Sequence, residues 1–307
     1  MSSHDVLVPA SVANLGGGFD TLGVAVQLYL RVRIIDVRSD ATGRLTVVRS
    51  TPPVRGRNAM ERAFEAVAQR TGLKAPSVSV EVESDIPIAA GLGSSAAGAV
   101  AGLRVFERVT GSEIRSGTLL AVAASLERHA DNAAAALYGG LTSVVERTGE
   151  EPIALRWQWP DELRLMVATP SAGLSTSKAR AALADAVTRR DAVFNLQRVL
   201  MLVHALQYGQ YDRLREATQD RLHQQTRTAL VPQLAEVLAL EDPEILAAFL
   251  SGAGPSVALV VRRDFSRLER LLASVYERAG SAAIVRTLEV HQQTVRTREP
   301  MTVGKTV

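Results

Sequence analysis

A pair of glycines followed by two serines is the stretch of this chain best suited to chemistry: Pro87-Ile88-Ala89-Ala90-Gly91-Leu92-Gly93-Ser94-Ser95-Ala96-Ala97. The alternating apolar run Val78 to Val82 before it has the period of a strand, and the Ala/Gly-rich sequence from Ser94 to about Arg108 predicts a helix. Glycines let a backbone come close to an anion, and the free N–H groups and dipole of a helix start favour negative charge, so the stretch suits a phosphate. The Walker pattern requires Lys and then Ser or Thr after its second glycine, whereas here no Lys lies near. Taken alone, a glycine turn before a helix serves a tight connection or close packing equally well.

Other stretches carry polar groups in company. Between Asn14 and Asp20 stand three consecutive glycines, Gly16 to Gly18. Their backbone can approach a ligand while the side chains offer an amide and a carboxylate; the plain alternative is a turn whose side chains bond their own backbone. Glu127, His129, Asp131 and Asn132 place an acid, an imidazole, a second acid and an amide within six residues, a composition common in solvated loops. Arg180 follows a Ser/Thr-rich loop that runs into a helix, and Arg227 ends Asp220-Arg221-Leu222-His223-Gln224-Gln225-Thr226-Arg227. A bare Arg on a helix commonly forms only a solvated salt bridge. Phe249 to Val261 is a small-residue turn, Ser251-Gly252-Ala253-Gly254-Pro255-Ser256, ahead of a buried strand.

Gly-Leu-Gly-Ser-Ser-Ala-Ala after Pro87 resembles the phosphate loop of the GHMP kinases, the superfamily of galactokinase, homoserine kinase, mevalonate kinase and phosphomevalonate kinase. Within it, Pro9 to Asp20 is similar to the Pro-Ala-Thr-Ser-Ala-Asn-Leu-Gly-Pro-Gly-Phe-Asp signature of homoserine kinases, with Val12 for Ser and Gly17 for Pro. Glu127 to Gly140 resembles their Glu-Gly-His-Pro-Asp-Asn-Val-Ala-Pro-Ala-Leu-Gly-Gly, with Arg128 for Gly and Ala130 and Ala135 for Pro. Ser175 to Leu183, Asp220 to Arg227 and Leu250 to Ser256 are similar to three further family stretches, the last with Ala253 for Ser.

The resemblance implies roles residue by residue. Pro87, Ala90, Gly91, Leu92, Gly93, Ser94, Ser95, Ala96 and Ala97 would hold ATP, with Asn58 against the adenine base. Asn14, Asp20 and His129 would face the amino acid substrate, Arg180 and Arg227 its carboxylate, and Asn132 would lie by the attacking hydroxyl as the catalytic residue. Mg²⁺ would be held by Ser94, with Ser95 as its alternative, and by Glu127; some relatives place the Glu where this chain has Ser125.

The elements that must position these residues have a mixed pattern. Val6 to Pro9, Val24 to Val37 and Leu45 to Val48 alternate as strands, the last two suggesting a hairpin through Asp40-Ala41-Thr42-Gly43. Asn58 suits the N-cap of an amphipathic helix ending at Thr71-Gly72, and Ile114 to Leu126 is a second apolar helix. Around Glu150-Glu151-Pro152 the composition turns polar, dividing the chain into 1–152 and 153–307. Leu163 to Thr169 and Ala283 to Val290 predict strands, and Ala192 to Gln207, Arg213 to Ala217 and Ser266 to Ala279 predict helices, with a polar tail after Gln293. Propensity supports only mixed α and β. The resemblance implies α+β in two domains: an N-terminal ATP-binding domain like the second domain of ribosomal protein S5, and a ferredoxin-like C-terminal domain.

Composition bounds what else the chain does. Its 307 residues, 47% hydrophobic, supply sizeable cores. With no Cys, disulfides, thiolate metal sites and cysteine nucleophiles are excluded. Lys and Arg number 35 against 32 Asp and Glu, and no dense basic run suggests nucleic acid. No apolar run approaches the ~18 residues of a membrane span, and Met1 to Asp5 lacks the regions of a signal peptide, so the expected place is the cytoplasm. The expected reaction is ATP-dependent phosphorylation of the side-chain hydroxyl of L-homoserine, a step toward threonine, with ATP and Mg²⁺ as cofactors. The alternatives are a GHMP kinase with another small-molecule acceptor and a catalytically inactive binding protein of that fold. The expected partner is the small-molecule substrate, with neither nucleic acid nor membrane involved and a homodimer left open.

Overall fold

The computed structural model describes residues 5–39, 43–54, 56–127 and 129–295. The expected turn residues Asp40, Ala41 and Thr42, the family departure at Arg128 and most of the tail after Gln293 lie outside them.

In chain order the first part runs β1 (Val6–Ala13), β2 (Leu22–Arg38), β3 (Leu45–Thr51), α1 (Ala59–Thr71), β4 (Ser77–Ser84), α2 (Ser94–Thr110), α3 (Ser116–Glu127), α4 (Asp131–Tyr138), β5 (Leu141–Val145) and β6 (Ile153–Trp157). The 17-residue β2 is the spine of its sheet. β1 runs antiparallel along one edge of it, Val12 opposite Val24, while β4 and β5 share the other. Its inward positions, among them Val24, Val26 and Val32, are buried as strand alternation requires.

The hairpin expected between β2 and β3 does not form. β4 lies between them, antiparallel to β2 with Val32 opposite Val82, and parallel to β3 with Val47 opposite Val80. Parallel neighbours need a crossover longer than a turn, and α1 supplies it. Buried Val78 and Val80 fit β4 for a place inside the sheet.

The second part runs β7 (Arg164–Pro170), α5 (Thr176–Ala181), α6 (Arg189–Gln207), a 3₁₀ turn (Tyr211–Arg213), α7 (Leu214–Ala217), α8 (Gln224–Arg227), α9 (Leu234–Leu238), β8 (Ile245–Leu250), β9 (Val257–Val261), α10 (Phe265–Arg278) and β10 (Ala283–Leu288). Its antiparallel sheet has the order β10-β7-β9-β8, the ferredoxin-like arrangement. Because β6 pairs with β5, Ser143 opposite Leu155, residues 153–157 belong to the first sheet. The change of sheet falls between Trp157 and Arg164, past the 152/153 division.

The parts share one continuous core: Leu202, Leu206, Phe249 and Val260 pack into the same cluster as Val8, Leu22 and Leu103. A second core lies under α10 around Leu259, Leu268 and Tyr276. After β10 the chain returns to the first part, His291 N–H donating to Ala25 O at 2.9 Å. α2, buried nearly all round, owes its place to small residues. A Cβ on Gly102 would stand 2.2 Å from Met60 O, so α1 and α2 touch backbone to backbone there.

Gly102→Ala is therefore expected to force α1 off α2 and lower stability by about 1–3 kcal/mol, the range for overpacking a tight core. Gly98→Ala on the same helix, whose added Cβ would meet Ala59 Cβ at an ordinary 3.6 Å, is expected to be near neutral. Thermal denaturation of both variants checks the contrast.

Candidate active site

The glycine loop ends where α2 begins. Gly93, at φ 68°, is the N-cap and carries no capping side chain, so the first-turn N–H groups of Ser94, Ser95 and Ala96 have no intrahelical acceptor. The carbonyls before them are all engaged. Ala89 O accepts from Leu174 N (2.9 Å), Ala90 O from Ser256 N (3.2 Å) and Leu92 O from Ser11 N (3.2 Å), while Gly91 O accepts from Ser251 Oγ at 2.6 Å. With its acceptors used, the loop offers a ligand donors and a helix dipole, the requirements of a phosphate. Gly91 has no room for a side chain, since a Cβ would stand 2.3 Å from Ser251 O.

Two cavities meet at this loop, sharing Ile88, Ser94 and Ser95. One, about 200 Å³, is mainly apolar and is walled by Leu30, Val47, Pro52, Val54 and Met60, with Asn58 at its rim. The other, about 320 Å³, is polar and gathers Asn14, Asp20, Glu127, His129, Asn132, Arg180 and Arg227. Of the residues expected at the nucleotide, Ala90, Gly91, Gly93, Ser94, Ser95 and Ala96 line the second cavity. Leu92 and Ala97 turn their side chains into the core, and Pro87 lines neither cavity.

Asn58 is the N-cap of α1: its Oδ1 accepts from Glu61 N at 3.1 Å and Glu61 reaches back to Asn58 N at 3.2 Å. The polar cluster is not the solvated loop that its composition alone would allow: it runs into a helix, Asp131 and Asn132 being the first residues of the buried α4. Asp131 Oδ1 accepts from Asn132 N (2.7 Å) and Asn132 Nδ2 (3.2 Å) and bonds His129 Nδ1 (2.7 Å). Asn132 Oδ1 in turn accepts from Ser11 Oγ at 2.8 Å. Burial opposes the charged imidazole of His129, but the hydrogen bond and charge of Asp131, with Asp20 beyond, outweigh it and raise the His129 pKa.

Asn14 and Asp20 take φ 74° and 52°, left-handed backbone that Asn and Asp tolerate better than most residues. Asn14 ties the parts of the chain together, donating from Nδ2 to Gly252 O at 2.9 Å and accepting Asp20 N at 3.1 Å. Asp20 grips Arg180 of α5 bidentately, at 2.8 and 2.9 Å. Arg227 is 2% exposed, and among the described residues no carboxylate forms an ion pair with it. Its Nη1 donates to Gly252 O (3.1 Å) and meets His223 Nδ1 (3.1 Å). Burial, and then Arg180, lower its pKa.

Oxygen donors for a hard cation are at hand. Glu127 accepts a hydrogen bond from Ser95 Oγ, and Ser94 lines the same cavity. Ser125 instead donates to Val122 O at 2.7 Å and lines neither cavity. Asp20, His129 and Asp131 also bring ligand atoms within 4.8 Å of one another.

Sequence reasoning missed the residues that support this site. Phe19 stacks on His223 with ring centroids 5.0 Å apart, and the guanidinium carbons of Arg180 and Arg227 lie 5.5 and 5.4 Å from its centroid. Asn195, a buried amide on α6, donates to Gly17 O (2.9 Å) and Asp220 Oδ1 (2.8 Å). Its signal was a polar residue on the inward face of a helix. Burial alone would raise Asp220, yet His223 nearby and hydrogen bonds from Gln224 N, Asn195 and His223 N hold its carboxyl below the ordinary range.

A carboxyl lowered on folding stabilises above its unfolded pKa, and the effect is lost as pH falls through the folded value. Asp220→Ala is thus expected to lower stability by about 1–3 kcal/mol near neutral pH, since buried N–H donors lose a charged acceptor. The difference from wild type should shrink below about pH 4; urea denaturation at several pH values measures it.

Residues 58–140 match the family model described as GHMP kinases N terminal domain. The chain is 36% identical over 279 residues to a homoserine kinase of Solibacter usitatus, covering 90% of this chain and 91% of that one. It is 40% identical over 254 residues to the homoserine kinase of Deinococcus radiodurans, covering 82% of each. The crystal structure of homoserine kinase from Cytophaga hutchinsonii superposes with a TM-score of 0.84 at 25% identity, over 97% of this chain and 99% of that one. A mevalonate kinase at 12% identity and TM-score 0.66 shares the fold.

Proposed function

The chain belongs to the homoserine kinase family of the GHMP kinases, and from that premise we infer how its cleft divides the work. It is a kinase that transfers the γ-phosphoryl group of ATP to the side-chain hydroxyl of L-homoserine, in threonine biosynthesis. In our reading the apolar cavity by Asn58 takes the adenine, the start of α2 takes the phosphates, and the polar cavity takes the amino acid. The reading places the enzyme in the cytoplasm, with homoserine rather than nucleic acid or membrane as its partner.

The observation that carries this reading is the position of Asn132. Its amide is fixed by Ser11 and Asp131, and its Oδ1 would lie 3.0 Å from a Cβ placed on Gly93. It therefore stands between the phosphate loop and the charged end of the cavity, where a hydroxyl must meet a phosphoryl group. Phosphoryl transfer asks chiefly for positioning and charge stabilisation. Asp131 Oδ1 already serves three polar partners, which makes it a poor proton acceptor. The reading gives Asn132 the orienting of the hydroxyl, without a strong base.

Homoserine carries an ammonium and a carboxylate on one carbon. Asp20 matches the first; Arg227, buried and without a carboxylate partner among the described residues, matches the second, assisted by Arg180. Ser94, Ser95 and Glu127 would hold Mg²⁺, which when bound neutralises charge on the phosphates.

A coupled ATPase assay over homoserine, mevalonate and galactose tests the reading; turnover with homoserine alone is expected. Turnover with another acceptor, or none, supports the alternatives. Arg227→Ala is expected to lower kcat/KM for homoserine roughly a hundredfold or more, with Asp20→Asn and Arg180→Ala in the same direction and KM for ATP nearly unchanged. Because the groups act on one ligand, double variants should be less than additive. An equal loss for ATP, or unfolding, would make Asp20 a turn residue only.

The Mg²⁺ assignment is checked by titration of the cation. Glu127→Gln is expected to raise the Mg²⁺ concentration for half-maximal activity, since an amide holds the ion less well than a carboxylate. Of Ser94→Ala and Ser95→Ala, one is expected to reduce kcat on the order of a hundredfold. Unchanged titrations in all three would assign the ion to other oxygens.

A further inference from the structure

His223 lines neither cavity of the site, yet it is 1% exposed and lies against three of its components. Its ring stacks on Phe19. Nε2 lies 2.9 Å from Gly16 O, in the glycine loop that leads to Asp20. Nδ1 lies 3.1 Å from Arg227 Nη1. A guanidinium can only donate and a carbonyl can only accept, so both contacts are satisfied together by one state alone: the neutral imidazole with its proton on Nε2.

The support extends behind the ring. Asp220 accepts the backbone N–H groups of His223 (2.9 Å) and Gln224 (2.7 Å), fixing the start of α8. Asn195 joins Asp220 to Gly17 O, the next residue of the same loop. Gly16 is pressed so close that a Cβ would stand 1.9 Å from Thr218 O. The glycine loop and α8 are thus held as one unit, with His223 at their junction.

We propose that His223 is a positioning residue for homoserine recognition: as a neutral acceptor it aims the Arg227 guanidinium into the cleft and, through Gly16, fixes the loop that presents Asp20. The inference rests on the assignment of homoserine to the polar cavity. With Nε facing Ala179 O, and Nη1 turned to His223 and Gly252, Nη2 is the arm of the fork these contacts leave for a carboxylate. Protonation would replace the acceptor at Nδ1 by a donor facing a cation. The charged groups around the ring are Arg227 on α8, Asp220 before it, with Oδ2 3.7 Å from Nε2, and Asp20, itself paired with Arg180 of α5. Burial keeps the imidazole below its ordinary pKa, so the neutral state holds at physiological pH.

The test compares His223→Gln, which retains one acceptor and one donor, with His223→Leu, which retains neither. His223→Leu is expected to raise the homoserine KM about tenfold or more, the effect of losing a hydrogen bond to a charged group, while KM for ATP changes less than about twofold. His223→Gln should restore most of the difference. In wild type the homoserine KM should rise toward acid pH, and His223→Gln should lack that part of the rise which His223 causes; His129 titrates equally in both.

If His223→Leu does not fold, the Gln variant and the wild-type pH profile decide alone. Equal losses for both substrates, a Gln variant with the same acid rise as wild type, or a folded Leu variant that binds homoserine normally would each overturn the proposal. These results would leave the kinase reading intact. Absence of homoserine phosphorylation by wild type would instead defeat that reading itself.

Discussion

The carbonyl of Gly252 receives both Asn14 Nδ2 and Arg227 Nη1, at 2.9 and 3.1 Å, and the N–H of the same residue donates to Ala13 O at 3.1 Å. One residue in the turn between β8 and β9 thereby joins the first glycine loop, the end of β1 and the buried cation of α8. Its neighbours Ser251 and Ser256 hold Gly91 and Ala90 of the phosphate loop. Both glycine loops and the Arg227 side chain therefore take their positions from this turn. Its small residues follow from the crowding: a Cβ on Gly252 would stand 3.3 Å from Gly91 O. Buried backbone groups must find partners, and here they find them across the cleft instead of within a sheet.

The electrostatics follow from that closeness. The cleft holds Arg180 and Arg227 beside Asp20, with Asp131 and Asp220 behind them. Asp131 and Asp220 spend their charge on backbone and side-chain donors at the starts of α4 and α8. They orient residues and favour the charged Arg227 only from a distance, without an ion pair to it. A buried guanidinium without a carboxylate is costly, and the ring of Phe19, the Gly252 carbonyl and the His223 lone pair offset part of that cost. The remainder favours any anion small enough to enter, which is what a site for an amino acid carboxylate requires.

What the sequence made legible was whatever depends on local chemistry. A strand, a glycine loop and a helix start are local, so the glycine loop and its following helix could be placed from Val78 to Arg108 alone, though not what the loop holds. Asn58 could be placed as a cap for the same reason, and the structure forms that cap. The order of β2, β4 and β3 could not be read, because alternation marks a strand and leaves its neighbour undetermined; α1 made the crossover that turned an expected hairpin into parallel pairing. Composition alone could not tell the Glu127 to Asn132 cluster from a solvated loop, because its polar groups satisfy one another inside the protein. Asn195 and Ser11 were invisible for a related reason. Each is a common polar residue whose use depends on a partner far along the chain, Gly17 O in one case and Asn132 in the other.

The pairing of Asp20 with Arg180 adds a last step. Both are about one-third exposed at the mouth of the cleft and bind each other through two hydrogen bonds, so each offers the other the partner that a zwitterion would supply. On the proposed assignment, homoserine brings an ammonium to Asp20 and a carboxylate to Arg227 and Arg180, exchanging one exposed pair for contacts that include the buried cation. A hydroxy acid without the ammonium would leave Asp20 held by Arg180 and gain only the carboxylate contact; an amine without the carboxylate would have to break the pair and leave Arg227 uncompensated. Neither fragment obtains the exchange, because the cost of separating the pair is offset only when both charges arrive together. On the proposed assignment, selectivity for an α-amino acid thus arises from an internal competitor as much as from complementary groups, and it depends on the cleft staying narrow enough for Asp20 and Arg180 to reach each other.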